Sequence, residues 1–250
     1  MATVSPIEAV SAVETLSSHD VVTALPITIY ASDDRPAIIV PAAAATLDGF
    51  REWAISDDFP ERGKITFVAG EVIVDMSPES LEEHSEIKTE ICRVLAALVR
   101  GTNRGRLHID GVLLSNKQAT VSNEPDALFV AKDALSTGRI KLTPVKGRLH
   151  SSKEIVGTVD WVLEIVSPSS KRKDKVLLRK GYYDAGIPEY WLIDALDEEI
   201  DFQILVRDAT EYIAVAPQDG WIASPTFGKS FKLERALDKH GFLEYTLHMK

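Results

Sequence analysis

Apolar and polar positions change period several times along the chain, and each change marks an element. TLDGFREWAI predicts a short helix carrying Phe50 and Trp53, with Thr46 and Asp48 as caps. GKITFVAGEVIVDMSP holds two β-rich runs broken at Ala69-Gly70, the pattern of a hairpin that Pro78 ends. From Glu79 to Arg100, Ile87, Ile91, Val94, Leu95 and Leu98 recur at helical spacing and predict the longest helix. RLHIDGVLL and PDALFV read as strands, as does DWVLEIVS. KDKVLLRKGYYDAG reads as a helix capped near Asp174 and closed at Gly186. EYWLIDA, DFQILVR and EYIAVAP give three further strands, and a short helix is expected near Leu233 to Lys239.

Two stretches break this rhythm. Residues 1 to about 45, rich in Ala, Val, Ser, Thr and Pro, keep no sustained period and read as a mobile or loosely attached extension. The charged segment Ser136 to Gly157 reads as an excursion outside the core. Residues 46–250 are therefore expected to form one domain, a mixed α/β sheet packed by helices.

Composition narrows the class. A hydrophobic content of 45% in 250 residues suits one large globular domain. No run of twenty apolar residues stands out, and the start lacks the basic-then-apolar pattern of a secretory signal, so a cytoplasmic protein is expected. The one cysteine, Cys92, excludes an intrachain disulfide and a thiolate metal cluster, and its helical setting reads as a buried thiol. A formal charge of −10 argues against a surface coated for non-specific nucleic-acid binding, though not against a local basic patch.

Such a patch follows a misplaced acid. In Trp161 to Val166 side chains alternate between sheet faces, putting Glu164 on the face of Val162 and Val166. A buried carboxylate without a partner costs several kcal/mol or takes up a proton, so Glu164 reaches water or a cation. Asp126, after Pro125 at the mouth of another strand, is the second candidate, and two such carboxylates are the usual minimum for Mg²⁺. A turn aspartate and a solvent-facing glutamate are the competing readings. Between Lys171 and Lys180 stand Lys171, Arg172, Lys173, Lys175, Arg179 and Lys180 against one acid, Asp174. They suit a phosphate backbone, or else a solvated first turn, although positive charge there opposes the helix dipole.

EPDALFV, WVLEIVSPSS, the pair KD and YYDAGIPEYWLID together resemble the Uma-type family, the second of that name, within the PD-(D/E)xK nuclease superfamily. GEVIVDMSPESLEEHSEI resembles its N-terminal motif, and the resemblance spans roughly Leu47 to Val206. It implies a restriction-endonuclease-like fold and Mg²⁺- or Mn²⁺-dependent hydrolysis of phosphodiester bonds in DNA. Asp126 matches the Asp of the PD pair and Glu164 the acidic member of the second motif. Two residues after Glu164, where the superfamily has lysine, stands Val166, and the family's migrated lysine position is Leu178. The ammonium then falls to Lys173, Lys175 or Lys180, with Lys173 first. Lys171, Arg172 and Arg179 would hold DNA, and Glu71 and His84, which match the N-terminal motif, would complete the site, Glu71 as a metal ligand. Alternatively Glu71 pairs with a hairpin neighbour, and His84 makes a structural hydrogen bond at its helix start. Tyr190 and Trp191 read as packing; Glu189 and Asp194 receive no role. The rival classes are an inactive nuclease-fold module binding DNA or protein, and a phosphohydrolase of small substrates. A homodimer would gather the basic patches around one groove.

Overall fold

The computed structural model of the chain describes residues 27–30 and 36–250. The chain divides after Ala42 into two compact units. In the first, β1 (Ile27–Tyr30) pairs antiparallel with β2 (Pro36–Val40), Ile27 opposite Val40. This corrects part of the expected extension: β-branched ITIY and AIIV support a strand pair. The expectation of mobility for residues 1–26 and 31–35 lies outside the described residues.

A single turn at Ala42–Ala45 precedes α1 (Leu47–Ala54), where the Thr46 hydroxyl accepts from Gly49 N at 3.2 Å. There follow β3 (Lys64–Val68), β4 (Glu71–Asp75), a wide π-helical segment Leu81–Glu86 that runs into α2 (Ile87–Thr102), and β5 (Gly105–Ile109). Next come β6 (Leu113–Asn116), β7 (Val121–Asn123), β8 (Ala127–Ala131), β9 (Ile140–Pro144), β10 (Ser152–Gly157) and β11 (Trp161–Ile165). A second π-helical segment, Lys173–Leu178, leads into α3 (Arg179–Asp184). The chain ends with β12 (Glu189–Asp194), β13 (Asp201–Arg207), β14 (Tyr212–Ala214), β15 (Ile222–Ser224), β16 (Lys229–Leu237) and β17 (Leu243–Met249).

The central sheet has the order β14-β13-β12-β11-β8-β5, parallel between β11 and β12 and antiparallel between its other neighbours. One face carries Phe129, Trp161, Leu163, Ile165 and Trp191 and packs on Ile87, Ile91 and Leu95 of α2 and on Phe231 and Leu247 of the terminal sheet β15-β16-β17. The other carries Leu128, Val162, Val166 and Tyr190 and packs on Leu178 and Tyr182 and on Leu114 and Val121 of the sheet β4-β3-β7-β6-β10-β9. With all of β11 and β12 buried, both read as continuous apolar runs rather than alternating ones. Tyr190 and Trp191 are both fully buried, one on each face.

Three expectations are corrected. Ser136 to Gly157 is no excursion: β9 and β10 belong to the second sheet, and their charges are tolerated because β9 is an edge with one wet side. Leu233 to Lys239 is no helix, because β16 pairs with β17 from Phe231 opposite Met249 to Leu237 opposite Leu243, and that pairing overrides local helix propensity. Asp174 caps nothing; it is buried, and its own N–H bonds Ser170 O at 2.9 Å. Gly186, at φ 73, does close α3 in the left-handed region. Among the described residues no helix is long and apolar enough to cross a membrane.

Candidate functional site

Strand register gathers three acids at one end of the central sheet. Leu163 of β11 lies opposite Ala127 of β8, so the next residues outward, Glu164 and Asp126, stand side by side. Ile109 of β5 also faces Ala127, which brings Asp110 beside Asp126, where Asp110 N donates to Asp126 O at 3.2 Å. The Asp126 side chain is locked from within: Ile165 N donates to its Oδ2 at 2.7 Å. A cavity of ≈ 280 Å³ opens over Asp126, Glu164 and Asp174.

Asp126 is surrounded by cations. Lys64 of β3 donates to Oδ1 at 2.6 Å, His84 Nε2 stands 3.4 Å from Oδ2, and Lys88 Nζ is 3.8 Å from Oδ1. Burial works against ionising this carboxyl, but the His84 contact and the charges of Lys64, His84 and Lys88 outweigh it and hold it far below the usual carboxylate range. Glu79 ties the same cations together, 2.9 Å from Lys64, 2.7 Å from Lys88 and 3.1 Å from His84 Nδ1. Burial alone would lower the His84 pKa; Asp126 and Glu79 reverse the sign and lift it to about 9. The π-helical segment turns His84 and then Lys88 toward the acids, a local widening common at functional sites. Ligand atoms of Glu79, His84 and Asp126 lie within 4.8 Å of one another.

Glu164 is held differently. Tyr182 OH donates to its Oε1 at 2.5 Å and Asn123 Nδ2 at 2.8 Å, while Thr66 in turn bonds Asn123 Oδ1 at 2.5 Å. Its Oε2 has Lys173 Nζ at 3.8 Å, and Lys173 is also 2.9 Å from Asp174 Oδ1. Burial raises the Glu164 pKa to about 8; Asp174 and Asp126 add to that, and Lys173 and Tyr182 oppose it. Asp174 is likewise raised by burial, against the pull of Lys173.

Of the residues singled out in the sequence, Asp126, Glu164 and Lys173 come together here, with His84 beside them. The others lie elsewhere. Glu71 sits at the turn end of β4 and takes two bonds of 2.9 Å from Arg172. The far end of that strand, about 13 Å along, carries Asp75 at the cavity rim, bonded by Ser169 at 2.7 Å. Lys175 turns away to Asp194 at 2.6 Å, Lys180 pairs with Asp184 on the exposed side of α3, and Arg179 donates to Tyr212 O at 2.8 Å. Lys171 is exposed. The turn through Lys173–Leu178 aims only its first two side chains at the acids, so neighbours in the basic run diverge. Val166 and Leu178, where lysines were absent, are core residues. Sequence reading missed Lys64, Glu79, Lys88, Asn123 and Tyr182. The His84–Lys88 spacing of four, which puts both on one helix face, is the one local signal among them.

Comparison with known proteins identifies the family and the fold. A family model described as Uma2, putative restriction endonuclease, matches residues 47–236. A crystal structure described as a putative nuclease belonging to DUF820, from Anabaena variabilis, superposes with a TM-score of 0.51 at 21% identity over 73% of this chain and 90% of that one, and so has the same fold. No curated protein matches. With most of its length, both six-stranded sheets and the acid-lined cavity inside the matched span, the chain belongs to the Uma2 family of putative restriction endonucleases.

Proposed function

We propose that the chain is an endonuclease that hydrolyses phosphodiester bonds in DNA, with Mg²⁺ or Mn²⁺ held by Asp126 and Glu164. The donor set suits a hard divalent cation: two buried carboxylates from adjacent strands, one of which, Glu164, lines the cavity and has no hydrogen bond to Oε2 among the described residues. Such an ion supplies a Lewis acid for a phosphoryl oxygen and a source of hydroxide near neutral pH. Asn123 and Tyr182 hold Glu164 by Oε1 and so aim the other oxygen. Asp126 is fixed by Ile165 N, and the Lys173 ammonium stabilises negative charge developing on the phosphate. The observation that carries this reading is Lys173, which reaches from a helix into the space beside Glu164 although Val166, the expected strand position, is buried core.

A non-cutting module that binds DNA or protein is the second reading, and Lys64 favours it, because its 2.6 Å bond already neutralises Asp126. Nicking of supercoiled plasmid with Mg²⁺ or Mn²⁺ separates the two. Cutting that needs metal and disappears in Asp126→Ala and Glu164→Ala is expected; wild-type protein no more active than those variants on any nucleic acid would end the enzyme reading.

A further inference from the structure

The corner between α2 and β5 holds a second cavity, ≈ 590 Å³ against ≈ 280 Å³ at the carboxylates. Its lining wraps the β5 edge, with Val99 and Leu107 on the α2 face and Val130 on the other, and it includes the cations Arg100, Arg106 and Lys132. All three cations are exposed, no acid lines the groove, and among the described residues none of the three forms an ion pair. That is unusual in a chain with 38 acids against 28 Lys and Arg. Along one side runs β5, the edge of the central sheet, hydrogen-bonded to β8 alone among the described strands.

The groove continues the seam that starts at the candidate site. Helix α2 ends at Asn103, in the left-handed region at φ 53, and β5 returns alongside it. At the site end the seam is closed by Lys88 and Asp110, 3.0 Å apart, and at the other end it widens between Arg100 and Arg106. From Lys88 to Arg100 the helix advances about 18 Å, the length of roughly five nucleotide steps.

We propose that this groove grips the phosphate backbone of duplex DNA roughly five nucleotide steps from the bond being cut; the proposal rests on the endonuclease reading above. The three cations neutralise backbone phosphates. A second copy docked edge to edge on β5 would bring two sets of the same cations together, so charge selects a polyanion instead.

The test is anisotropy of fluorescein-labelled duplex DNA with the full chain in EDTA, across a series of KCl concentrations. The Arg100→Ala/Arg106→Ala/Lys132→Ala variant is expected to lower the slope of log affinity against log salt by about 3 and to weaken binding at least about tenfold at low salt. Lys232→Ala, whose ammonium pairs with Glu234 on β16 away from both cavities, is expected to keep the slope. If the triple variant loses its cooperative melt, Arg106→Ala and Lys132→Ala alone are each expected to lower the slope by about 1. An unchanged slope overturns the proposal, even if the wild type cuts DNA. A wild-type dimer that the triple variant converts to monomer in sedimentation also overturns it, by assigning the groove to a second copy. Groove-dependent binding by a wild-type chain that cuts nothing supports the groove and retires the endonuclease reading alone.

Discussion

The tripeptide Glu-Ile-Val occurs twice, at Glu154 in β10 and at Glu164 in β11, and both glutamates are 2% exposed. Their surroundings have little else in common. Glu154 is saturated: Arg51 grips both oxygens, at 2.6 and 2.9 Å, and Thr143 donates at 2.6 Å. Burial resists its ionisation, but Arg51, Ser115 and Thr143 prevail and its pKa is lowered. Glu164 has one oxygen satisfied and the other facing a cavity, its nearest cation at 3.8 Å, and its pKa is raised to about 8. Equal burial therefore accompanies a closed ion pair in one sheet and, in the other, a carboxyl with one oxygen bonded and the other open to a cavity. What separates them is whether the protein itself supplies the whole counter-charge.

The sharpest way to break the contrast is to remove each charge in turn. Glu164→Gln is expected to cut nuclease turnover about 10³-fold or more while the fold persists. Glu154→Gln is expected to leave turnover intact and cost about 3 kcal/mol of stability, because it leaves the part-buried Arg51 only the exposed Asp48 as an anionic partner. Plasmid cleavage and denaturant melts on the same preparations check both. Within the basic run, Lys173→Ala is expected to lose about 10²-fold in rate, whereas Lys175→Ala and Lys180→Ala, whose partners Asp194 and Asp184 lie outside the cavity, stay within about twofold. Equal losses from all three would dissolve the distinction between Lys173 and its neighbours. Tyr182→Phe removes one hydrogen bond that aims Glu164 and is expected to weaken Mn²⁺ binding about tenfold, read by titration calorimetry.

The smallest effect carries opposite signs in the two regions. Glu164 without metal has a folded pKa raised from 4.5 to about 8, so its stabilising contribution is complete below about 4.5 and is lost as pH climbs through 8. Glu154, with a lowered pKa, stabilises above its unfolded value, and that contribution is lost as pH falls through the folded one. Thermal melts in EDTA are expected to show Glu164→Gln flattening the alkaline decline and Glu154→Gln flattening the acid one. The same slope in both variants would contradict the contrast.

The legibility of these regions followed sequence distance. Helix α2 was readable from its local period and strands β8 and β11 from their β-branched and aromatic runs, and Asp126, Glu164 and Lys173 were singled out through strand-end position, a basic run and a resemblance. The two Glu-Ile-Val segments could not be told apart along the chain, since the partner that closes Glu154 is Arg51, 103 residues away. Lys64 and Asn123 were invisible for the same reason: they meet the acids from β3 and β7, and an ordinary strand lysine or asparagine carries no local mark. Glu71 misled because it belongs to the resembling motif, while the hairpin it opens delivers Asp75 to the cavity instead. The helix expected near Leu233 failed because the partner that makes it a strand, β17, lies further along the chain.

Mn²⁺ binding measured by calorimetry on the full chain at neutral pH, in two buffers of different ionisation enthalpy, tests the role of Glu164 most directly. Wild type and Glu154→Gln are expected to bind the ion and release a proton as Glu164 ionises, and Glu164→Gln to lose both the binding and the release. Glu164→Gln that binds Mn²⁺ as tightly as wild type, with the same proton release, would contradict the assignment of Glu164 as the unfinished half of a metal site.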